Sequence, residues 1–272
     1  MANKERTPGT PPVTADPWAE LQGITAARIA LGRAGSSLPL QASLAFRLDH
    51  ARARDAVHAP FAPGDLIAKL ANSGLTGVEL ESEVADRQEY LTRPDKGRRL
   101  SRRSAAALAT ALGPIDICLV VGDGLSPRAV EEQAPAVIRD CSTLFHLAGF
   151  TLAPVCVVRN ARVAIGDEIA RHLQARLVVV LIGERPGLSA ANSLGLYLTL
   201  DPYPGITDAR RNCISNIRPG GLSIAEAVRR LAYLVEEAFR LGTSGVDLKD
   251  RMAADYLPFS RAISLSSPPD EE

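Results

Sequence analysis

Aromatic side chains are scarce. Phe, Tyr and Trp make up 4% of the 272 residues, and Trp18 is the single tryptophan. Aliphatic packing must therefore build the core. Net charge is absent too. Lys and Arg total 31, and so do Asp and Glu. That balance lacks the basic excess of a dedicated nucleic-acid or membrane-surface protein. Cysteine is limited to Cys118, Cys141, Cys156 and Cys213, with no CxxC pair, so neither a zinc site nor a thioredoxin motif is supported. No apolar run approaches the roughly 20 residues of a membrane span. The first residues, MANKERTPGTPPVTADP, carry charge and proline but no apolar stretch of the secretory kind. The expectation is a soluble, reduced, intracellular protein that contacts neither nucleic acid nor membrane.

What is present centres on Leu177–Ser189, LVVVLIGERPGLS. Six apolar residues, three of them adjacent valines, read as a strand covered on both faces. Gly183, Glu184, Arg185, Pro186 and Gly187 follow where the strand emerges. In an open parallel sheet, ligands bind just beyond the carboxyl ends of the strands.

Around that strand the chain reads as two parts after a disordered tail over 1–16. Residues 17–103 read as a small helical N-terminal domain. Trp18 is its expected packing anchor. Pro39 opens a helix whose Leu40, Leu44 and Leu48 share one face. The dense Arg47, His50, Arg52 and Arg54 suit either solvent or a partner. Asp65 to about Leu91 reads as a short helix pair. Residues 104–272 read as a Rossmann-like domain, a mostly parallel sheet with helices on both faces. Ser104 caps an alanine-rich helix to Leu112. Strands follow at Ile115–Val121, Pro154–Arg159, 177–182 and Leu194–Leu200. A helix from Pro127 to about Ala148 carries Pro135 as a kink point. Ser223, with Glu226 three residues on, caps a long helix to about Leu241.

Three strand exits carry small or polar residues: Gly122–Ser126, Asn160–Asp167 and Gly183–Gly187. Glycines there permit close backbone approach to a ligand, although turns need glycine anyway. GDGLS is not GxGxxG, so the dinucleotide fingerprint is unmet. No Walker loop, DxHxxG cobalt-ligating motif or nucleophile triad is present. Cys213 reads as a loop residue, with site lining and plain packing both open. A ligand edge without a complete catalytic set favours a cofactor-holding subunit over a self-sufficient enzyme.

With these stretches assembled, the sequence resembles the small (light) subunit of ethanolamine ammonia-lyase. The segments that carry the likeness include LDHARARDAVH, VVGDGLS, RVAIGDEI, GERPGLS, RNCISNI and SGVDLKD. The resemblance implies an adenosylcobalamin-dependent lyase that turns ethanolamine into acetaldehyde and ammonia by a radical route. It implies that catalysis and substrate binding belong to a large subunit, the partner in a hetero-oligomer. It implies base-on cobalamin, with no protein ligand to cobalt and no catalytic residue here. The family's cofactor contacts carry over to Val163, Glu184 and Cys213, with Asp123, Ser126, Asp167, Arg185 and Asn212 as neighbours. An extended N-terminal segment in this family can direct the enzyme into a bacterial microcompartment. The first sixteen residues here lack an amphipathic pattern, so encapsulation and plain cytoplasm both stay open. Two readings from other classes stand beside it: a stand-alone nucleotide-binding α/β oxidoreductase, and a pure assembly module docking through Arg47–Arg54.

Overall fold

The valine run forms β4 (Ala175–Gly183), and β4 is central to a six-stranded sheet. The computed structural model describes residues 12–108 and 114–260. The other strands are β1 (Gly77–Glu81), β2 (Ile115–Gly122), β3 (Val155–Arg159), β5 (Leu194–Leu200) and β6 (Asn212–Ile217), in the order β1-β3-β2-β4-β5-β6. Neighbours among β1 to β4 are parallel. β5 is antiparallel to β4, and β6 is antiparallel to β5, so β6 runs with β4. The carboxyl ends of β4 and β6 therefore meet the start of β5: Leu194 pairs with both Gly183 and Ile217.

Alternation along β4 shows why a continuous apolar run was needed. Leu177, Val179 and Leu181 pack beneath α2 (Pro63–Ala71), α5 (Pro127–Leu147) and α7 (Ile224–Leu241). Val178, Val180 and Ile182 pack with α4 (Arg102–Leu108) and α6 (Ile165–Leu173). Helices thus cover both faces. The connections β1 to β2 and β3 to β4 advance across the sheet under α4 and α6, while β2 to β3 steps back under α5. A crossover of constant hand requires that change of face. Ser223 caps α7 as expected, its hydroxyl accepting the Glu226 N–H at 3.2 Å. Among the described residues no helix is long and apolar enough to cross a membrane.

Several expectations are corrected. The helix pair over 65–91 is a helix, a strand and a helix: α2, β1 and α3 (Arg87–Thr92). Ser104 is not a cap. Ser101 accepts the Ser104 N–H at 3.1 Å, and Ser104 Oγ instead accepts from the edge strand at Glu81 N–H. The end of that helix, 109–113, lies outside the described residues, as does most of the expected tail. Within the tail, Thr14 exchanges two backbone hydrogen bonds with Arg33. α5 continues through Pro135.

The described chain divides into two compact units. One runs to Asp55 and includes Gly187–Ala191; the other holds Ala56–Pro186 and everything from Asn192. The first unit has almost no interior. Trp18 is 68% exposed, not a packing anchor. Leu40, Leu44 and Leu48 of α1 (Leu40–His58) share a face as expected but are all exposed.

Candidate functional site

The exit of β2 turns its chemistry inward. Asp123 is buried, its Oδ1 accepting the Ala161 N–H at 3.0 Å and its Oδ2 facing Arg87 at 3.1 Å. Burial pushes its carboxyl up to about 6, against the pull of Arg87 and the Ala161 N–H. The glycines here serve the protein rather than a ligand. A Cβ on Gly124 would lie 2.2 Å from Gly183 O, and one on Gly183 would lie 2.2 Å from Ser126 O. The ends of β2 and β4 can touch only because both positions lack a side chain. Ser126 caps α5 through the Ala129 N–H.

The turn after β3 is clamped on every side. Asn160 takes the left-handed conformation at φ 54°. Its carbonyl accepts from Ser82 Oγ at 2.9 Å, and the Ala161 carbonyl accepts from the Tyr90 hydroxyl at 2.9 Å. The Arg162 N–H donates to Gly97 O at 2.8 Å. Two guanidiniums lie over the fully buried Tyr90 ring, Arg162 at 4.1 Å and Arg87 at 4.6 Å from its centroid. Burial drives the Tyr90 phenol above its ordinary range. These bonds fix the half-buried Val163 at the head of α6.

Glu184 sits one residue past β4. Its Oε2 accepts from the Ser193 hydroxyl and from the Asn216 N–H at 3.1 Å, so neither of these bonds occupies Oε1. Gly195 leaves room for this: a Cβ there would stand 3.0 Å from Oε1. Cys213 is not in a loop but in β6, opposite Tyr197 of β5. Both side chains line the same hollow. Burial raises the thiol above its ordinary value, and the Glu184 charge adds to that.

Two hollows open along this edge. The larger, about 940 Å³, touches Val163, Tyr197 and Cys213. The smaller, about 460 Å³, touches Val163, Glu184, Arg185 and Tyr197. Val163, Tyr197 and Arg162 line both. Val163, Glu184 and Cys213 thus gather around Tyr197: the first two follow the exits of β3 and β4, and Cys213 lies near the start of β6. The other candidates do different work. Asp123 and Ser126 hold loops, and Asn212 ties Gly245 and Leu248. Asp167 forms a bidentate pair with Arg211 at 2.6 and 2.7 Å, with both side chains buried. Burial opposes charge on Arg211, but the hydrogen bonds and charge of Asp167 prevail and raise its pKa. Arg211 thereby forms a fixed part of the larger hollow's wall. Among the described residues, no cluster of three or more His, Cys, Asp or Glu side chains could hold a metal ion.

The chain matches the family model of the ethanolamine ammonia-lyase light chain (EutC) over residues 15–249. It belongs to that family. It is 55% identical over 248 residues to the ethanolamine ammonia-lyase small subunit of Xanthomonas campestris pv. campestris, covering 90% of each chain. It is 50% identical over 255 residues to the small subunit of Pseudomonas fluorescens, covering 91% of this chain and 92% of that one. The small subunit of Ralstonia nicotianae is 49% identical over 262 residues, 95% and 96% of the two chains. The oxidoreductase alternative finds no support in these matches.

For this light-chain family member, sequence reasoning missed Tyr90, Arg162 and Tyr197. Tyr197 sat in plain view as the one aromatic residue of the LGLYLTL strand. Arg162 directly precedes Val163 in the quoted motif. Nothing local marked Tyr90, which reaches the site only through the docking of α3.

Proposed function

We propose that this chain is the small subunit of an adenosylcobalamin-dependent ethanolamine ammonia-lyase, and that its sheet-bearing unit holds the cobalamin against a catalytic large subunit. One observation carries the reading. Val163 follows the exit of β3, Glu184 follows the exit of β4 and Cys213 lies near the start of β6, and they share a pair of adjoining hollows around Tyr197.

The donor and acceptor set suits a corrin. Its periphery is a ring of amides, rich in N–H donors, over an apolar macrocycle. Glu184 offers Oε1 to an amide N–H, with its other oxygen already committed to Ser193 and Asn216. Val163 and the Tyr197 ring offer apolar contact. Cys213 adds a small, weakly polar surface whose raised pKa keeps it a neutral thiol. The bound cofactor supplies the radical chemistry that converts ethanolamine to acetaldehyde and ammonia. This chain's residues bind and orient. None is assigned a proton transfer or a bond to cobalt.

Ammonia release tests the assignment. The chain with its large subunit, adenosylcobalamin and ethanolamine is expected to release ammonia, and either chain alone is not. Turnover by this chain alone would overturn the non-catalytic role.

A further inference from the structure

The larger hollow holds more positive charge than its acids answer. Asp95 is taken by Arg93 at 2.7 Å and Asp208 by Arg211 at 3.1 Å. Glu168 accepts the Leu100 N–H at 2.8 Å. Arg98, Arg99 and Arg162 line the same hollow, and no carboxylate among the described residues lies within ion-pair distance of them. Arg162 Nε is buried and has no hydrogen-bond partner. The three are not scattered. The 3-10 turn Lys96–Arg98 is fastened to the Val163 turn by the Arg162 N–H to Gly97 O bond. Arg162 Nη2 donates to the Tyr90 carbonyl at 3.0 Å, so its guanidinium is held in place without a carboxylate. In a chain of zero net charge, three guanidiniums with no carboxylate partner on one concave surface form a local anion site.

This inference rests on the cofactor reading above. The corrin periphery is neutral amide, whereas the nucleotide tail of cobalamin contains a phosphodiester, a fixed monoanion. The geometry points to Arg98, Arg99 and Arg162 as the residues that hold this phosphodiester, in the larger hollow next to Val163 and Cys213. The Glu184 hollow then takes corrin amides. The two hollows divide the cofactor by charge: acceptor toward amide, guanidinium toward phosphate. A free phosphate has the same chemistry, so the test must separate the two sources.

The experiment uses the two-subunit complex with cyanocobalamin and with cobinamide, a corrinoid that keeps the amides and lacks the nucleotide and its phosphate. Dissociation constants are measured by equilibrium dialysis, and inorganic phosphate is titrated separately by calorimetry. Arg98→Gln and Arg99→Gln alter exposed side chains, so the fold persists, and an unchanged urea midpoint verifies it. Arg162→Lys keeps the charge while losing the planar fork. For the double variant Arg98→Gln/Arg99→Gln, cyanocobalamin affinity is expected to fall about tenfold or more, the size of a lost charge-assisted contact. Cobinamide affinity is expected to stay within about twofold, since its groups remain neutral amides. Raising salt should weaken cyanocobalamin binding more than cobinamide binding. Equal losses for both corrinoids, or loss for neither, overturn the assignment. Loss of inorganic phosphate binding alone also overturns it and marks a free-phosphate site. If the wild-type complex binds neither corrinoid, the cofactor reading itself fails, and the assignment falls with it.

Discussion

Asn216 at the end of β6 donates its backbone N–H to Glu184 at the end of β4, at 3.1 Å, across the start of the strand between them. Glu184 therefore does two jobs: its Oε2 ties the sheet edge, and the residue lines the smaller hollow. Glu184→Gln keeps the size and an acceptor oxygen for Ser193 and Asn216. It turns an amide N–H toward the ligand in place of a carboxylate oxygen. Cobalamin affinity of the two-subunit complex is expected to fall about tenfold, from loss of a hydrogen bond to a charged acceptor. The unfolding midpoint should move little. Unchanged affinity in equilibrium dialysis would remove Glu184 from the cofactor contacts and favour a pure docking role for the chain.

The Asp167–Arg211 pair is enclosed, with side-chain exposures of 1% and 2%. Removing one partner strands the other charge in a low-dielectric setting. Arg211→Met is expected to destabilise the chain by roughly 3–5 kcal/mol. The double variant Asp167→Leu/Arg211→Met leaves no buried charge, and it should recover most of that loss. Urea unfolding of the three proteins measures both. A double variant no more stable than Arg211→Met would mean that the Thr199 and Ile206 contacts of the guanidinium, not the pairing, dominate.

The elements that were legible in the sequence are those whose burial is set by their own pattern. The run 177–182 has apolar side chains for both faces, and both faces are covered. LGLYLTL over 194–200 likewise forms the strand expected. β1 and β6 escaped because they are sheet edges. Glu79 and Glu81 project outward from β1 and leave only Val78 and Leu80 as apolar signal. In β6 a register shift against β5 breaks the alternation, and NCISNI reads as a polar loop. Trp18 misled because a large aromatic normally buries itself within its own domain, and the first unit has too little interior to take it. At the site, residues inside motifs were readable. Tyr90, which steadies the Val163 turn from α3 some seventy residues away in sequence, depends on tertiary docking that no local pattern encodes.

Asp123 sets a pH dependence. Its carboxyl titrates near 3.9 in an unfolded chain and at about 6 when folded. Between those values the folded protein holds the extra proton. Its contribution to stability is therefore full at the acid end, falls as pH rises from about 4 to 6, and is level above that. The span is roughly 2–3 kcal/mol. Asp123→Asn abolishes this titration. Urea midpoints at pH 4.5 and 7 should differ between the two proteins by a term that favours the wild type more at the lower pH. Parallel pH curves would show that Asp123 stays ionised throughout, paired with Arg87.

Cys213 differs from the other cysteines in a way that reports on the hollow. Cys118, Cys141 and Cys156 are buried, whereas Cys213 is exposed beside Tyr197. In the native chain a maleimide is expected to label Cys213 first. The reaction should be slow at neutral pH, because partial desolvation of the sulfur at the hollow wall and the Glu184 charge hold its thiol above the ordinary value and the thiolate is the reactive form. Glu184→Gln removes that negative charge and should speed labelling. Cyanocobalamin added to the two-subunit complex should protect Cys213, which lines the hollow proposed to hold the cofactor. Mass spectrometry of the labelled peptide distinguishes the outcomes. If Cys213 labels at the same rate with and without saturating cyanocobalamin, the corrinoid does not cover this strand, and the wall formed by β6 lies outside the cofactor site.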